Sequence, residues 1–212
     1  VAAGGDGTAN EVGSGLLDSE AVLGLMPMGS GNALARALGL PIDPAKALGE
    51  ILAGDVLAID AGTVAGRHFF STAGVGLDAA VSHLYASRPD RRRGFLPYLA
   101  LTLRAYLSYV PVETVITLAD GVEILTHPTI ATVANTSQFG NGVIIAPEAL
   151  PDDGVLDLCV IDDTGVLRAL WHSRRLFRGT IDRMPGVRLF RSRCIRIVRP
   201  RPGLLQVDGE AT

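Results

Sequence analysis

The stretch that most constrains this chain is its first turn, Val1-Ala2-Ala3-Gly4-Gly5-Asp6-Gly7-Thr8-Ala9-Asn10-Glu11. A short apolar run enters three glycines around one aspartate, and a helical pattern follows from Thr8 to about Leu17. Glycine lets the backbone approach a ligand closely. A helix that begins there leaves N–H groups unpaired and aimed at the turn, which suits an anion such as a nucleotide phosphate. Asp6 beside such an anion then needs a cation or a proton transfer to make sense. The bland alternative is a strand-to-helix turn whose glycines serve geometry alone.

The unit occurs twice. Val22-Leu23-Gly24-Leu25-Met26-Pro27 is a continuous apolar run, as in a strand buried on both faces. It runs into Met28-Gly29-Ser30-Gly31-Asn32 and a short helix with Leu34, Ala37 and Leu38 on one face. Two glycine turns at the carboxyl ends of successive parallel strands are α/β logic, and ligands bind there. Alone, the second turn reads as a helix cap. Its place one unit after the first makes Ser30 and the neighbouring amides candidates for a phosphate or ribose contact.

Beyond Gly54 the pattern changes. Asp43-Pro44 caps a helix that stops at Gly54. Strands are expected at 56–64 and 67–72 around Ala65-Gly66, at 112–119 and 122–125 around a two-residue Asp120-Gly121 turn, and at 129–135, 155–161, 194–198 and 204–207. Helices are expected from Leu77, over 96–109, and over 164–178. Strands predominate, so an antiparallel β domain with helical insertions should follow the α/β part.

Composition narrows the chemistry. The chain has 212 residues, 48% hydrophobic and 19% charged, with a formal net charge of -3. It is a folded globular sequence and not a general nucleic-acid binder. Lys46 is its only lysine, and no GxxxxGK string exists. Any phosphate grip must use backbone amides, hydroxyls, arginine or metal. Cys159 and Cys194 sit in strand-like runs and read as buried free thiols of a reducing compartment. His68, His83, His127 and His172 have no ligand spacing. No apolar run is long enough to span a bilayer. The start without methionine and the cramped ends suggest a piece of a longer protein.

Three more stretches carry candidate chemistry. Leu150-Pro151-Asp152-Asp153-Gly154-Val155 places carboxylates and free carbonyls in one turn, a donor set for a hard cation or a plain loop between strands. Gln206-Val207-Asp208-Gly209-Glu210 delivers two carboxylates at a strand end, fit for proton acceptance and for ordering metal or water, or for a simple hairpin. Arg88, Arg91, Arg92 and Arg93 beside Phe95, Leu96 and Tyr98 read as a solvated loop or as contact with an anionic membrane surface. Ala73-Gly74-Val75-Gly76-Leu77-Asp78 and Gly140-Asn141-Gly142 are further glycine-rich stretches that could line a cleft.

Taken in order, Gly4-Gly5-Asp6-Gly7-Thr8 with Asn10-Glu11, Gly29-Ser30-Gly31-Asn32, Ala73-Gly74-Val75-Gly76-Leu77-Asp78, Asp152-Asp153-Gly154 and Asp208-Gly209-Glu210 resemble the diacylglycerol kinase catalytic-domain family, which includes bacterial lipid kinases and sphingosine kinases. GGDGT alone is shared with NAD kinases and, loosely, phosphofructokinases. The resemblance implies α/β plus β: a partial Rossmann-like nucleotide domain over residues 1–55 and a β-rich, sandwich-like domain over 56–212, with an active-site cleft between them. It implies transfer of the ATP γ-phosphate to the hydroxyl of a diacylglycerol-like lipid. Gly4, Gly5, Asp6, Gly7, Thr8, Ala9, Asn10 and Ser30 would contact ATP. Asp153, with carbonyls of Leu150 and Val155, would hold Mg²⁺. Glu210 would take the proton and Asp208 would support the site's metal and water, with Asp6 as the competing base. The substrate aspartate of sphingosine kinases falls at Gly76, which favours a diacylglycerol-like lipid over a long-chain base. Such an enzyme would work in the cytoplasm at the membrane periphery, with a homodimer as an option. The alternatives are an NAD kinase, whose downstream Thr-Pro-Thr-Gly-Ser-type string is missing here, and a non-catalytic nucleotide- or lipid-binding module.

Overall fold

The computed structural model describes residues 1–54, 56–87 and 95–212. Arg88, Arg91, Arg92 and Arg93 lie outside the described residues.

The first part follows its sequence closely. Strands β1 (Ala2–Gly4) and β2 (Leu25–Pro27) pair in parallel, joined by α1 (Asp6–Leu16). α1 starts two residues before the expected Thr8, because Gly5 takes the extended cap position and Asp6 is already helical. Of the apolar run Val22 to Pro27 the first three residues are loop and the last three pair. α2 (Ala33–Ala37) is one short turn behind Asn32. α3 (Pro44–Ala53) starts as read: Asp43 Oδ1 accepts the Lys46 N–H at 3.0 Å, and Pro44 occupies the first turn.

The rest is antiparallel. β3 (Gly62–Val64) and β4 (Arg67–Phe69) form a hairpin whose turn residues Ala65 and Gly66 both have positive φ, 49° and 75°. β5 (Thr72–Gly76) leads into α4 (Leu77–Ala86), and α5 (Phe95–Ser108) follows. β6 (Thr114–Leu118) and β7 (Glu123–Thr126) are connected by a longer loop than expected. The Gly121 N–H bonds the Leu118 carbonyl at 3.0 Å with Gly121 at φ 85°, so the turn spans Leu118–Gly121 and Asp120-Gly121 is not a two-residue turn.

β8 (Pro128–Ala134), β11 (Leu156–Asp162), β13 (Ile195–Val198) and β14 (Leu205–Val207) lie where the sequence places strands. β9 (Gln138–Gly140), β10 (Val143–Ile144), β12 (Val187–Ser192) and β15 (Glu210–Ala211) were not legible there. The helix expected over 164–178 is shorter: α6 (Val166–His172) tightens into a 3₁₀ turn at Ser173–Arg175.

Six strands form one sheet in the order β12-β11-β8-β5-β14-β15, and β13-β6-β7 form a second. They pack face to face. Ile116, Leu118 and Ile124 of the smaller sheet bury against Ala131, Leu158 and Val160 of the larger. Cys159 points the other way and joins Ala134, Ile145 and Ile181 on the opposite face, as a period of two requires. This is the sandwich that the sequence predicted. Cys159 is buried and its thiol is pushed up to about 12 by burial. Cys194 is exposed, contrary to expectation, because it sits in the bend ahead of β13 and not in the strand.

The two parts are stitched by Phe70, which buries with Ala2, Ala9, Leu25 and Leu34 of the α/β unit. Its ring also explains Gly13 inside α1: a β-carbon there would stand 2.8 Å from the ring.

Candidate active site at the glycine turns

The two glycine turns touch. A β-carbon on Gly29 would overlap the Gly5 backbone, and the Met28 N–H bonds the Gly4 carbonyl at 2.8 Å. Asn32 closes the second turn on itself. Its Oδ1 accepts the Gly29 N–H and its Nδ2 donates to the Gly29 carbonyl, both at 2.9 Å. Asn32 adopts φ 52°, a left-handed conformation that asparagine tolerates well. The sequence offers this turn as a helix cap, but the Asn32 side chain makes no capping bond to α2 and is spent on Gly29.

The first bond of α1 is Ala9 N–H to Gly5 O, so the amides of Asp6, Gly7 and Thr8 precede it. Thr8 is exposed, and its side chain packs over Gly4 so closely that no β-carbon fits there. Ser30 is exposed on the second turn. Ala9 is buried beneath the first turn and contributes packing.

Asp6 faces the start of α2. Its Oδ1 accepts the Leu34 N–H at 3.2 Å, and its Oδ2 lies beside Gly31. Burial raises its pKa. The amides of Ala33, Leu34 and Asn32 pull it down, and the charge of Asp208 pushes it up again. Asp6 therefore ties one glycine turn to the other.

The carboxyl end of the chain arrives at the same place. β14 and β15 form a tight hairpin, Val207 pairing Glu210, with Asp208 at φ 46° and Gly209 at φ 83°. Asp208 points inward. Its Oδ1 accepts the amides of Ser71 (2.8 Å) and Thr72 (2.9 Å), and its Oδ2 accepts the amide of Phe70 (2.9 Å) and Asn10 Nδ2 (2.7 Å). A carboxylate has about four lone-pair sites, and all four are taken. Burial raises the Asp208 pKa, and these donors work against it. Asn10 also donates to the His68 carbonyl at 2.8 Å, so it bolts α1 to β4 and to the hairpin.

Glu210 points outward, over the first turn of α1. A β-carbon on Gly7 would overlap Glu210 Oε1. Among the described residues no hydrogen bond or ion pair engages the Glu210 carboxylate, so of Asp6, Asp208 and Glu210 it alone is uncommitted. The hairpin is held from behind by Gln206, whose Oε1 accepts the Gly209 N–H at 2.8 Å while Nε2 reaches Thr72 Oγ1 (3.3 Å) and Asp78 Oδ2 (3.5 Å). Gly140 approaches Gly31 from the sandwich, and the Asn141 N–H bonds the Gly31 carbonyl at 3.1 Å.

Leu150, Asp153 and Val155 are elsewhere, in the turn before β11. Asp153 Oδ1 accepts the Val155 N–H at 3.0 Å, and its Oδ2 accepts from Arg191. Arg191 Nε also lies 3.4 Å from Asp157 Oδ2. Asp60 braces the turn by accepting the Gly154 N–H at 2.7 Å. Among the described residues no cluster of three or more His, Cys, Asp or Glu could hold a metal. The oxygen donors are of the right kind for Mg²⁺, but the Arg191 guanidinium already supplies the cation to Asp153. In this arrangement a cation on Asp153 and the Leu150 and Val155 carbonyls would share that carboxylate with Arg191.

Residues 1–64 match the family model for the diacylglycerol kinase catalytic domain, and residues 71–212 match that for the YegS C-terminal NAD kinase beta sandwich-like domain. The chain is 32% identical over 182 residues to a diacylglycerol kinase of Bacillus subtilis (strain 168), covering 84% of this chain and 60% of that protein. It is 31% identical over 174 residues to a "Probable lipid kinase YegS-like" of Chromohalobacter salexigens, covering 80% and 56%. The chain thus spans somewhat more than half the length of these relatives. Two crystal structures from Bacillus anthracis str. Sterne share the fold. One, a diacylglycerol kinase, gives a TM-score of 0.68 at 20% identity over 96% of this chain and 66% of that one. The other gives 0.78 at 26% over 98% and 69%. Both parts of the chain, and the order of the turns that meet at Glu210, place this protein in the diacylglycerol kinase catalytic-domain family.

Proposed function

We propose that this chain carries the catalytic centre of a kinase that moves the ATP γ-phosphate to the hydroxyl of a diacylglycerol-like lipid. One observation supports this most: the uncommitted carboxylate of Glu210, on the last hairpin, stands over the amide-rich start of α1 at the other end of the sequence. A base beside an anion-binding helix start is what transfer to an alcohol needs.

Mg²⁺-ATP enters as substrate. The amides of Asp6, Gly7 and Thr8, with the Ser30 hydroxyl across the cleft, receive its phosphates. Glu210 accepts the proton of the lipid hydroxyl as that oxygen attacks the γ-phosphorus in line. The bond from the γ-phosphorus to the bridging oxygen breaks, and ADP leaves with that electron pair. Positioning and electrostatics supply most of the acceleration in such transfers. Asp208, saturated by four donors, holds the hairpin rather than a metal. Asp6, bound to the start of α2, sets the distance between the turns and is the weaker candidate for base. Among the described residues no helix is long and apolar enough to cross a membrane, so the lipid would be met by peripheral contact.

The test is transfer from γ-labelled ATP by the full-length protein to micelles of diacylglycerol, with a long-chain base and NAD in parallel arms. Label in diacylglycerol that Glu210→Gln abolishes and Asp6→Asn only weakens is the expected result. Label in NAD would move the chain to NAD kinase chemistry. Tight ATP binding without transfer in any arm would leave a binding module.

A further inference from the structure

α6 carries an apolar face that nothing described covers. Leu167 is 86% exposed, Leu170 52% and Trp171 71%. They stand at spacings of three and four along the helix, hence on one side of it. Three large apolar side chains side by side in water mark an interaction surface.

The surroundings name the partner. Arg168, Arg174 and Arg178 of the same segment are exposed, and the Arg174 guanidinium lies 5.8 Å from the centre of the Trp171 ring. From Thr164 to Thr180 the chain has four arginines and no aspartate or glutamate, although its net charge is -3. Charge of one sign is therefore concentrated where the apolar side chains are. Leucine and tryptophan rimmed by arginine on a short helix are suited to the boundary of an anionic bilayer. There the apolar tips enter the acyl region, the indole sits at headgroup depth and the guanidinium groups meet phosphates. Leu99, Leu103 and Leu107 of α5 are also exposed, but between Phe95 and Ser108 Arg104 is the lone charged residue, so among the described residues of α5 that stripe has a single cation beside it.

The face is coupled to the cleft. The Leu176 carbonyl, just past the 3₁₀ turn, accepts the Ile144 N–H of β10 at 2.7 Å. β10 pairs with β9, whose Gly140 abuts Gly31 of the second glycine turn. A single short hairpin thus joins the α6 segment to the rim of the nucleotide turns.

We infer that the α6 face, Leu167, Leu170 and Trp171 with Arg168, Arg174 and Arg178, docks the protein on an anionic lipid surface and sets the cleft against the bilayer. This deepens the lipid-kinase reading and rests on it for its purpose, while the docking itself stands on the surface alone.

Trp171 is the only tryptophan of these 212 residues, and the emission that Trp171→Phe removes from the full-length protein reports on this site. Vesicles of equal parts phosphatidylcholine and phosphatidylglycerol should shift its emission to the blue and shield it from iodide. Vesicles of phosphatidylcholine alone should do neither. In the full-length protein, Arg174→Gln with Arg178→Gln should weaken partition onto the anionic vesicles about tenfold or more. Leu167→Gln should also weaken it. Both variants should keep the wild-type melting temperature and the wild-type kcat on a short-chain diacylglycerol dispersed in water. Vesicle binding with unchanged Trp171 emission, or binding lost only in Leu103→Gln with Leu107→Gln, would overturn the assignment. So would shielding of Trp171 by RNA or by a soluble protein and not by vesicles. Insertion of Trp171 without phosphate transfer to any lipid would uphold the docking face and defeat the kinase reading instead.

Discussion

Two acidic Asp-Gly turns of this chain look alike in sequence and behave in opposite ways. Asp152-Asp153-Gly154 and Asp208-Gly209-Glu210 each put two carboxylates and one positive-φ glycine beside a strand. In the first turn Asp153 lies near the surface, paired with an arginine from the neighbouring strand. In the second, Asp208 turns inward and is consumed by four N–H donors, which leaves Glu210 aimed at a helix start. A carboxylate's job is set by what it faces. Inward, it organises backbone; outward over a glycine turn, it is available for chemistry; beside arginine, it is neutralised.

The widest separation of the two turns should come from removing the free carboxylate. Glu210→Gln keeps the size of the side chain and should lower kcat by about 10²–10⁴, the usual worth of a positioned general base, with the melting temperature unchanged. Gly7→Ala sharpens the point. Its new methyl meets only the flexible end of Glu210, so the fold should survive while activity falls. A Glu210→Gln enzyme at wild-type rate would make Asp6 the base.

Asp208→Ala should instead break the fold. It strands three buried amides and Asn10 at once, at a cost of about 3–5 kcal/mol. Urea unfolding of the variant measures this directly. A midpoint near that of the wild type would show that water replaces the carboxylate, and that the hairpin is held by Gln206 and the sheet alone.

How much of this was legible beforehand divides along a physical line. The glycine turns, the Asp43 cap and the outward carboxylate Glu210 announce themselves through local chemistry: glycines where two turns approach too closely for a β-carbon, a helix start, a strand ending in Asp-Gly. The Asp208 clamp does not, because its partners are the plain backbone amides of Phe70, Ser71 and Thr72, and no side chain marks a backbone donor. β9, β10 and β15 have three residues or fewer, too short for any period to show. β12 was missed because Leu189 and Phe190 are adjacent and its arginines stand three apart, so no period of two shows. One of them, Arg191, is the group that pairs with Asp153 and alters the reading of that turn.

Asp78 extends the comparison to a drier place. It is fully enclosed, bonded by Thr132 Oγ1 at 2.8 Å and reached by Gln206, with Oδ1 left without a partner. Burial raises its pKa to about 6. An acid whose pKa is higher folded than unfolded favours the native state when protonated. Its contribution is full below about 3.8, is lost as pH rises through the window to about 6, and is flat beyond it. The loss is at most about 3 kcal/mol. Asp78→Asn should remove this slope from a pH series of unfolding free energies. A slope that persists in the variant would assign it to Asp6, Asp157 or Asp208, whose pKa values burial also raises.

The smallest effects belong to the Asp153 turn. Arg191 and Asp153 are both partly open to water, and an exposed pair of this kind adds little to stability. Asp153→Asn should therefore move the melting temperature far less than Asp208→Ala does. Arg191→Gln should move it more than Asp153→Asn, because Asp157 is buried and its Oδ2 keeps no hydrogen bond beyond the nearby guanidinium. The decisive comparison is with Mg²⁺. If Arg191 is the cation of this turn, added Mg²⁺ has to displace a tethered guanidinium from Asp153, and the wild-type melting temperature should barely respond. The Arg191→Gln variant exposes Asp153 and Asp157 together with nearby carbonyls, a hard-oxygen set, and should gain a Mg²⁺-dependent rise. Equal Mg²⁺ responses in both proteins would mean that Leu150, Asp153 and Val155 hold the metal beside the arginine, and the two acidic turns would then differ by an ion and not by a neighbour.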